Sequence, residues 1–144
     1  MRPDGQVIRI VAAIALDAQG QTLLVRKRGT QAFMLPGGKL TPEESPFEAL
    51  EREVREELAC GLDSAASRSL GVFRAPAAHE PGFTVEAELF AVSLDGEARP
   101  SGEIDELVWI DPEAPLLYPL AQLAREHALP LARRLKAKAR SLSE

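Results

Sequence analysis

The chain has a single cysteine, Cys60, in 144 residues, so no internal disulfide can form, which suits a reducing compartment. No uninterrupted apolar run reaches the roughly 18 residues that read as a membrane-spanning helix. The opening stretch MRPDGQVIRI has neither the apolar segment nor the small-residue cleavage site of a signal peptide. These absences predict a cytoplasmic protein with no membrane partner. Positive charge is also scarce: 17 Lys and Arg against 22 Asp and Glu leave a net charge of −5 and a pI near 5.2. That disfavours a nucleic-acid partner, because a phosphate backbone calls for clustered Lys and Arg. It does not disfavour a small phosphorylated ligand, which needs only a few local cations. Repeats, linkers and low-complexity tracts are missing too. With 45% hydrophobic residues available for a core, one domain over residues 1–144 is expected.

The elements can be read in chain order. Val7–Leu16 (VIRIVAAIAL) is nearly all apolar, as in a strand buried on both faces. Asp17–Gln21 is a turn, and Thr22–Arg28 a second strand expected to form a hairpin with the first. A loop with a short extended piece and a Gly-Gly pair follows. Two helix starts then compete, Thr41-Pro42-Glu43-Glu44 and Ser45-Pro46-Phe47-Glu48, each with a capping residue, a proline and a glutamate in register. Pro46 disfavours helical geometry at Ser45. The helix is therefore expected from Pro46 to about Ala59, with Gly61 just past its end and Glu44 in the preceding loop. RSLGVFRAP and GFTVEAELFAVSL read as strands, the second alternating Phe83, Val85, Ala87 and Leu89 with polar neighbours. Glu106–Pro112 is a further short strand, with Trp109 as core packing. Leu117–Arg140 is helical by periodicity, with a break near Pro130. This order predicts an α+β fold or mixed α/β sandwich.

The most unusual stretch is EREVREELAC, where Glu51–Glu57 holds four glutamates and two arginines. On a helical wheel Phe47, Leu50, Val54 and Leu58 form the core stripe. Glu53, Glu56 and Glu57 share a neighbouring arc at i,i+3 and i,i+4 spacing, so their carboxylates can converge. Converging carboxylates repel unless a cation sits among them. Arg52 and Arg55 could supply it, or a divalent metal could. An all-oxygen donor set without His or Cys suits Mg2+ or Mn2+ rather than zinc.

The longer segment GKLTPEESPFEALEREVREELAC, residues 38–60, resembles the signature of the Nudix hydrolase family. Gly38, Glu44 and Arg52-Glu53-Val54-Arg55-Glu56-Glu57 all stand at the family's spacing. Pro36-Gly37 ahead of them is also similar. Ala59 departs from the pattern, standing where the family has its last glycine; Gly61 is the candidate to take the left-handed turn instead. The resemblance implies a Nudix fold, with a mixed central sheet flanked by helices. It implies hydrolysis of a diphosphate linkage in a nucleoside diphosphate joined to another group, with Mg2+, or Mn2+, as cofactor. Glu53, Glu56, Glu57 and the carbonyl of Gly38 or Gly37 would hold metal. Arg52 would hold a catalytic glutamate in place, with Glu53 favoured, and Glu44 would brace the loop against the helix. A homodimer is compatible with the resemblance.

The general base in this family has no fixed place, so Glu103 and Glu106 are loop candidates, and Glu86 and Glu88 strand candidates. Arg26 and Arg28 in VRKRG could bind phosphate. Phe33, like Phe73, could stack on a base, and His79 could border the pocket. The compact size resembles nucleoside triphosphate pyrophosphatases that remove damaged nucleotides such as 8-oxo-dGTP. The favoured substrate is therefore a nucleoside triphosphate, giving the monophosphate and pyrophosphate. ADP-ribose or a nucleotide sugar is the alternative substrate, and a non-catalytic nucleotide- or partner-binding module the alternative class.

Overall fold

The structure is a computed structural model and describes residues 6–78, 80–114 and 117–143. Its strands are β1 (Val7–Ala15), β2 (Thr22–Lys27), β3 (Gly37–Lys39), β4 (Gly61–Leu62), β5 (Arg68–Pro76), β6 (Thr84–Val92), β7 (Leu94–Asp95) and β8 (Ile104–Ile110). Its helices are α1 (Pro46–Leu58) and α2 (Leu129–Ser143). Four strands form a mixed sheet in the order β3-β1-β6-β5, with β1 and β6 parallel and the outer pairs antiparallel. β2 pairs with β8, and β4 with β7, as separate antiparallel pairs. Among the described residues no helix is long and apolar enough to cross a membrane.

β1 explains the layering. Val11, Ala13 and Ala15 join one core cluster, which includes Leu50, Val54 and Leu58 of α1. Ala12 and Ile14 join a second, which includes Ala128 and Ala132 from the C-terminal helical stretch. Strand alternation thus sends neighbouring side chains into opposite layers, so the strand must be apolar at every position there. The helices lie on opposite faces of the sheet, as expected of a mixed α/β sandwich.

The expected hairpin of the first two strands is corrected. Asp17–Gln21 does reverse the chain: Asp17 Oδ1 accepts from the amides of Gln19 and Gln21 at 2.9 and 2.8 Å, and Leu16 bridges Thr22. The ladder stops there, because both hydrogen-bonding edges of β1 are taken, one by β3 and one by β6. β2 must pair elsewhere, and does so with β8.

α1 begins where its signals place it. Ser45 Oγ accepts from the Glu48 amide at 3.2 Å, and the Glu48 carboxylate accepts from the Ser45 amide at 2.9 Å, a reciprocal capping box with Pro46 beginning the helix. Its end differs from expectation. Ala59, not Gly61, takes the left-handed turn, at φ 56° and ψ 32°, while Gly61 opens β4. The pairing of Gly61 with Asp95 holds that residue extended, so the reversal has to fall earlier. A Cβ in this conformation crowds the backbone. Ala59→Gly is accordingly expected to stabilise the protein by about 1 kcal/mol. The measurement is the urea midpoint at unchanged m-value, and no rise would mean that the turn relaxes around alanine.

The C-terminal helix is also corrected. Leu117–Ala121 is not helical; its backbone pairs with Phe33, which donates to the Pro119 carbonyl and accepts from Ala121, both at 2.8 Å. Helical backbone starts at 122 and continues through Pro130 without a break. Residues Ala124–Ala128 form a π-helical turn, in which the Leu129 amide reaches back to the Ala124 carbonyl. The wider turn sits just before the proline ring, which lacks an amide and would crowd the carbonyl four residues back in a regular α-helix.

Candidate active site

α1 presents its glutamates along the rim of a cleft of about 510 Å³, lined by Gly38, Glu53, Glu56, Glu57, Lys27, Lys39, Glu80 and Glu103 among others. Arg52 organises this rim. Its Nε and Nη2 donate to the two Glu44 oxygens at 2.8 and 2.9 Å, and its Nη1 donates to Glu53 Oε2 at 2.9 Å. Glu56 Oε1 stands 3.7 Å from the same guanidinium. The Glu44 hydrogen bonds, then that of Glu53, push the Arg52 pKa up, so it stays charged. Arg52, helped by Thr41, holds the Glu44 carboxyl below the usual range. The planar fork thus ties the loop before α1 to the carboxylate row on it.

Glu57 is the buried member, at 7% exposure, and its Oε1 accepts the Gly37 amide at 3.0 Å. Burial pushes its pKa up to about 8, with the charges of Glu53 and Glu103 adding and the Gly37 hydrogen bond and Lys27 opposing. β3 carries the other close contact. Gly38 lies opposite Val11 of β1, and a Cβ on it would meet the Glu53 carboxylate, 2.5 Å from Oε2 and 2.6 Å from Oε1. The backbone of β3 therefore lies close against the glutamate row, and a side chain at this position would have to displace the Glu53 carboxylate from its place beside Arg52.

The loop after β7 is docked onto the end of α1. The amides of Ser101 and Arg99 donate to the Glu57 and Leu58 carbonyls at 3.0 and 2.9 Å, groups a helix end leaves unpaired. This brings Glu103 to the cleft. Glu106 is not in the lining; it is ion-paired with Arg26 at 3.2 Å.

The arginines of VRKRG are placed differently from expectation. Arg26 donates to Asp105, Glu106 and the Thr30 carbonyl, and Arg28 to the Gly102 carbonyl at 3.1 Å, so both brace the loop that carries Glu103. Strand alternation turns Lys27, between them, into the cleft. Phe33 is 4% exposed and edge-on to Tyr118 in the second core cluster, which leaves it no open face for a base. Phe73 packs beside His127, and Trp109 packs against the first core cluster. Glu86 pairs with Arg74 and Glu88 accepts from Ser69, both outside the cleft. His79 lies outside the described residues. Glu80, in the Pro-rich loop expected to border the pocket, does line the cleft, whereas sequence reading passed over Lys39, whose signal was its place directly after the glycine pair.

No group of three or more His, Cys, Asp or Glu among the described residues is gathered in metal-holding geometry as it stands. The chemistry of the donor set nevertheless suits a hard divalent ion: Glu53, Glu56 and Glu57 give carboxylate oxygen, and Gly38 lets the β3 backbone approach them. The raised Glu57 pKa carries a sign. Its folded form holds its proton above the ordinary value of 4.5, so the folded state binds more protons, and this contribution to stability is lost as pH rises from about 4.5 through about 8. The metal-free protein is expected to lose stability across that window. Glu57→Gln should flatten the loss, and Mg2+ should reverse it by binding the folded state. Thermal midpoints against pH, with and without Mg2+, check this; parallel profiles for the native and Gln proteins would refute it.

The chain resembles known proteins over most of its length. A NUDIX domain family model matches residues 7–133. A CTP pyrophosphohydrolase of Escherichia coli (strain K12) is 34% identical over 121 residues, covering 81% of this chain and 84% of that protein. A Bacillus subtilis (strain 168) protein, provisionally named an 8-oxo-dGTP diphosphatase, is 37% identical over 101 residues, covering 69% of this chain; the match spans only 63% of that relative's length. Among solved structures, the solution structure of the E. coli ORF135 protein superposes with a TM-score of 0.68 at 30% identity, covering 94% of both chains.

Proposed function

The chain belongs to the NUDIX family, and on that premise we propose that it is a Mg2+-dependent pyrophosphohydrolase of nucleoside triphosphates, releasing the monophosphate and pyrophosphate. The observation that carries this reading is one cleft lined by Glu53, Glu56 and Glu57 together with Lys27 and Lys39. The carboxylates and the backbone at Gly38 would hold the ion, and the lysines would meet phosphate oxygens. A bound divalent ion would neutralise charge on the diphosphate and lower the pKa of water. Glu53, oriented by Arg52, is the first candidate to take the proton of the attacking water, and Glu103 on the loop docked to α1 is the second. Lys27 and Lys39 would keep the leaving pyrophosphate in place. The names of the relatives, with CTP in one and 8-oxo-dGTP in the other, support a nucleotide substrate.

The test is phosphate and pyrophosphate release from a panel of canonical and oxidised nucleoside triphosphates, ADP-ribose, nucleotide sugars and dinucleoside polyphosphates, each with and without Mg2+. Glu56→Gln and Glu57→Gln run beside the native protein. Mg2+-dependent release of pyrophosphate from triphosphates, lost in both variants, is the expected result. Turnover confined to ADP-ribose or a nucleotide sugar would replace the substrate class, and metal-independent turnover retained in both variants would end the reading.

A further inference from the structure

At the other end of β1 from the glutamate cleft lies a second cavity, about 420 Å³, and the two have no lining residue in common. The cleft takes Ile8 and Ile10 from the start of β1, whereas this cavity takes Leu16 and Asp17, just past its end. From Ile10 to Leu16 the extended chain covers roughly 20 Å. The apolar wall of the cavity is an open rim of the first core cluster. Leu107 and Trp109, two apart on β8, share a face, and with Leu94 they pack against that cluster while staying only partly buried. The polar wall is acidic: Asp17 and Glu97 line it, and no lysine, arginine or histidine among the described residues does. Asp17 is oriented by the two amides that its Oδ1 accepts. Glu97 has neither an ion pair nor a hydrogen bond to another described residue. Its backbone is nevertheless held on both sides, by the pairing of β7 with β4 just before it and by the Arg99 amide on the Leu58 carbonyl just after.

We infer that this cavity binds a small organic cation, an alkylammonium with a chain of a few carbons. Three features of the wall call for that class together. The face of an indole attracts a cation. Two carboxylates that no lysine or arginine in the lining answers add to the attraction at contact range. Leu94 and Leu107 reward an alkyl chain laid over them, through the apolar area removed from water. A phosphate or a carboxylate would be repelled by both acids, and a bare divalent ion seeks several converging oxygens and gains nothing from an indole. The inference does not rest on the hydrolase reading, and turnover counts neither for nor against it.

Trp109 is the chain's one tryptophan and lines this cavity but not the glutamate cleft, so its fluorescence reports on the cavity alone of the two. The probes are n-butylammonium, n-butanol and butyrate, titrated into the full chain at constant ionic strength and read by Trp109 emission and by calorimetry. Butylammonium is expected to bind saturably, about tenfold or more tighter than butanol, with no binding of butyrate. Glu97→Gln should weaken butylammonium by about threefold. Glu97→Lys, which sets an ammonium on the wall itself, should abolish its binding. Glu43→Gln removes an exposed carboxylate that lines neither cavity, and should change nothing. Absence of saturation in both readouts would overturn the inference. So would butanol binding as tightly as butylammonium, binding retained in Glu97→Lys, or Glu43→Gln weakening binding as much as Glu97→Gln does.

Discussion

Glu53→Gln is expected to lower kcat by about 10³-fold while the protein stays folded. Three facts set the size. Glu53 lines the cleft, is only 16% exposed at its side chain, and is aimed by Arg52 at 2.9 Å. Glutamine keeps the shape and can still accept from Arg52, and the bidentate hold of Arg52 on Glu44 is untouched. What is lost is a full negative charge where proton transfer and metal capture both need one, an effect typically worth 10² to 10⁴-fold. The loss should fall on kcat rather than KM, because the charge acts mainly as the reaction proceeds. Glu103→Gln, on the loop docked to α1, should cost about tenfold at most. Steady-state kinetics on the preferred triphosphate measure both. If Glu103→Gln shows the thousandfold loss and Glu53→Gln does not, the base is on the loop.

Gly37→Ala should produce the largest loss of stability. Gly37 sits in β3 opposite Ala12, at φ 152°, and an added Cβ would overlap the Val11 carbonyl and lie 2.7 Å from Ala12 Cα. Both obstacles are main chain of the central strand, which cannot swing aside as a side-chain tip can. Relief would require β3 to leave β1, and with it the amide that Glu57 accepts, stranding a buried carboxylate. A cost of about 3 kcal/mol or more follows, on the order of 10 °C in Tm for a chain of this size. Protection of the fold by Mg2+ should weaken as well, since Glu57 would lose its anchor. Calorimetric melting with and without Mg2+ reads both, and a variant within about 1 kcal/mol of the native protein would show that β3 can shift without cost.

Much of the fold was legible for local reasons. The capping box and Pro46 start α1 through contacts among residues three apart, so no distant partner had to be known. The unbroken apolar run of β1 announced burial on both faces, and its side chains do enter two separate cores. The hairpin was misread because turn chemistry reports a chain reversal and says nothing of which strand edges remain free. Ala59 was misread for a similar reason: glycine is the easier residue at a left-handed turn, but the pairing of β4 with β7 decided where the turn could fall. Pro130 read as a break because a proline cannot join a regular α-helix without crowding the preceding turn, and the π-helical turn before it lets the helix continue.

The candidate site divides along the same line. By itself the sequence determined the glutamate row and Arg52, because their spacing along one helix sets their common face through helical geometry alone. The glycine pair read only as part of a loop, and the close approach of its backbone to Glu53 and to β1 came from the structure. Only the tertiary structure decided that Arg26 and Arg28 brace a loop while Lys27 enters the cleft, that Phe33 is core, and that Glu103 rather than Glu106 reaches the rim. Those choices depend on what a strand's two faces meet, and on a loop docked to helix carbonyls far from it in sequence. Spacing along one helix carries no information about either.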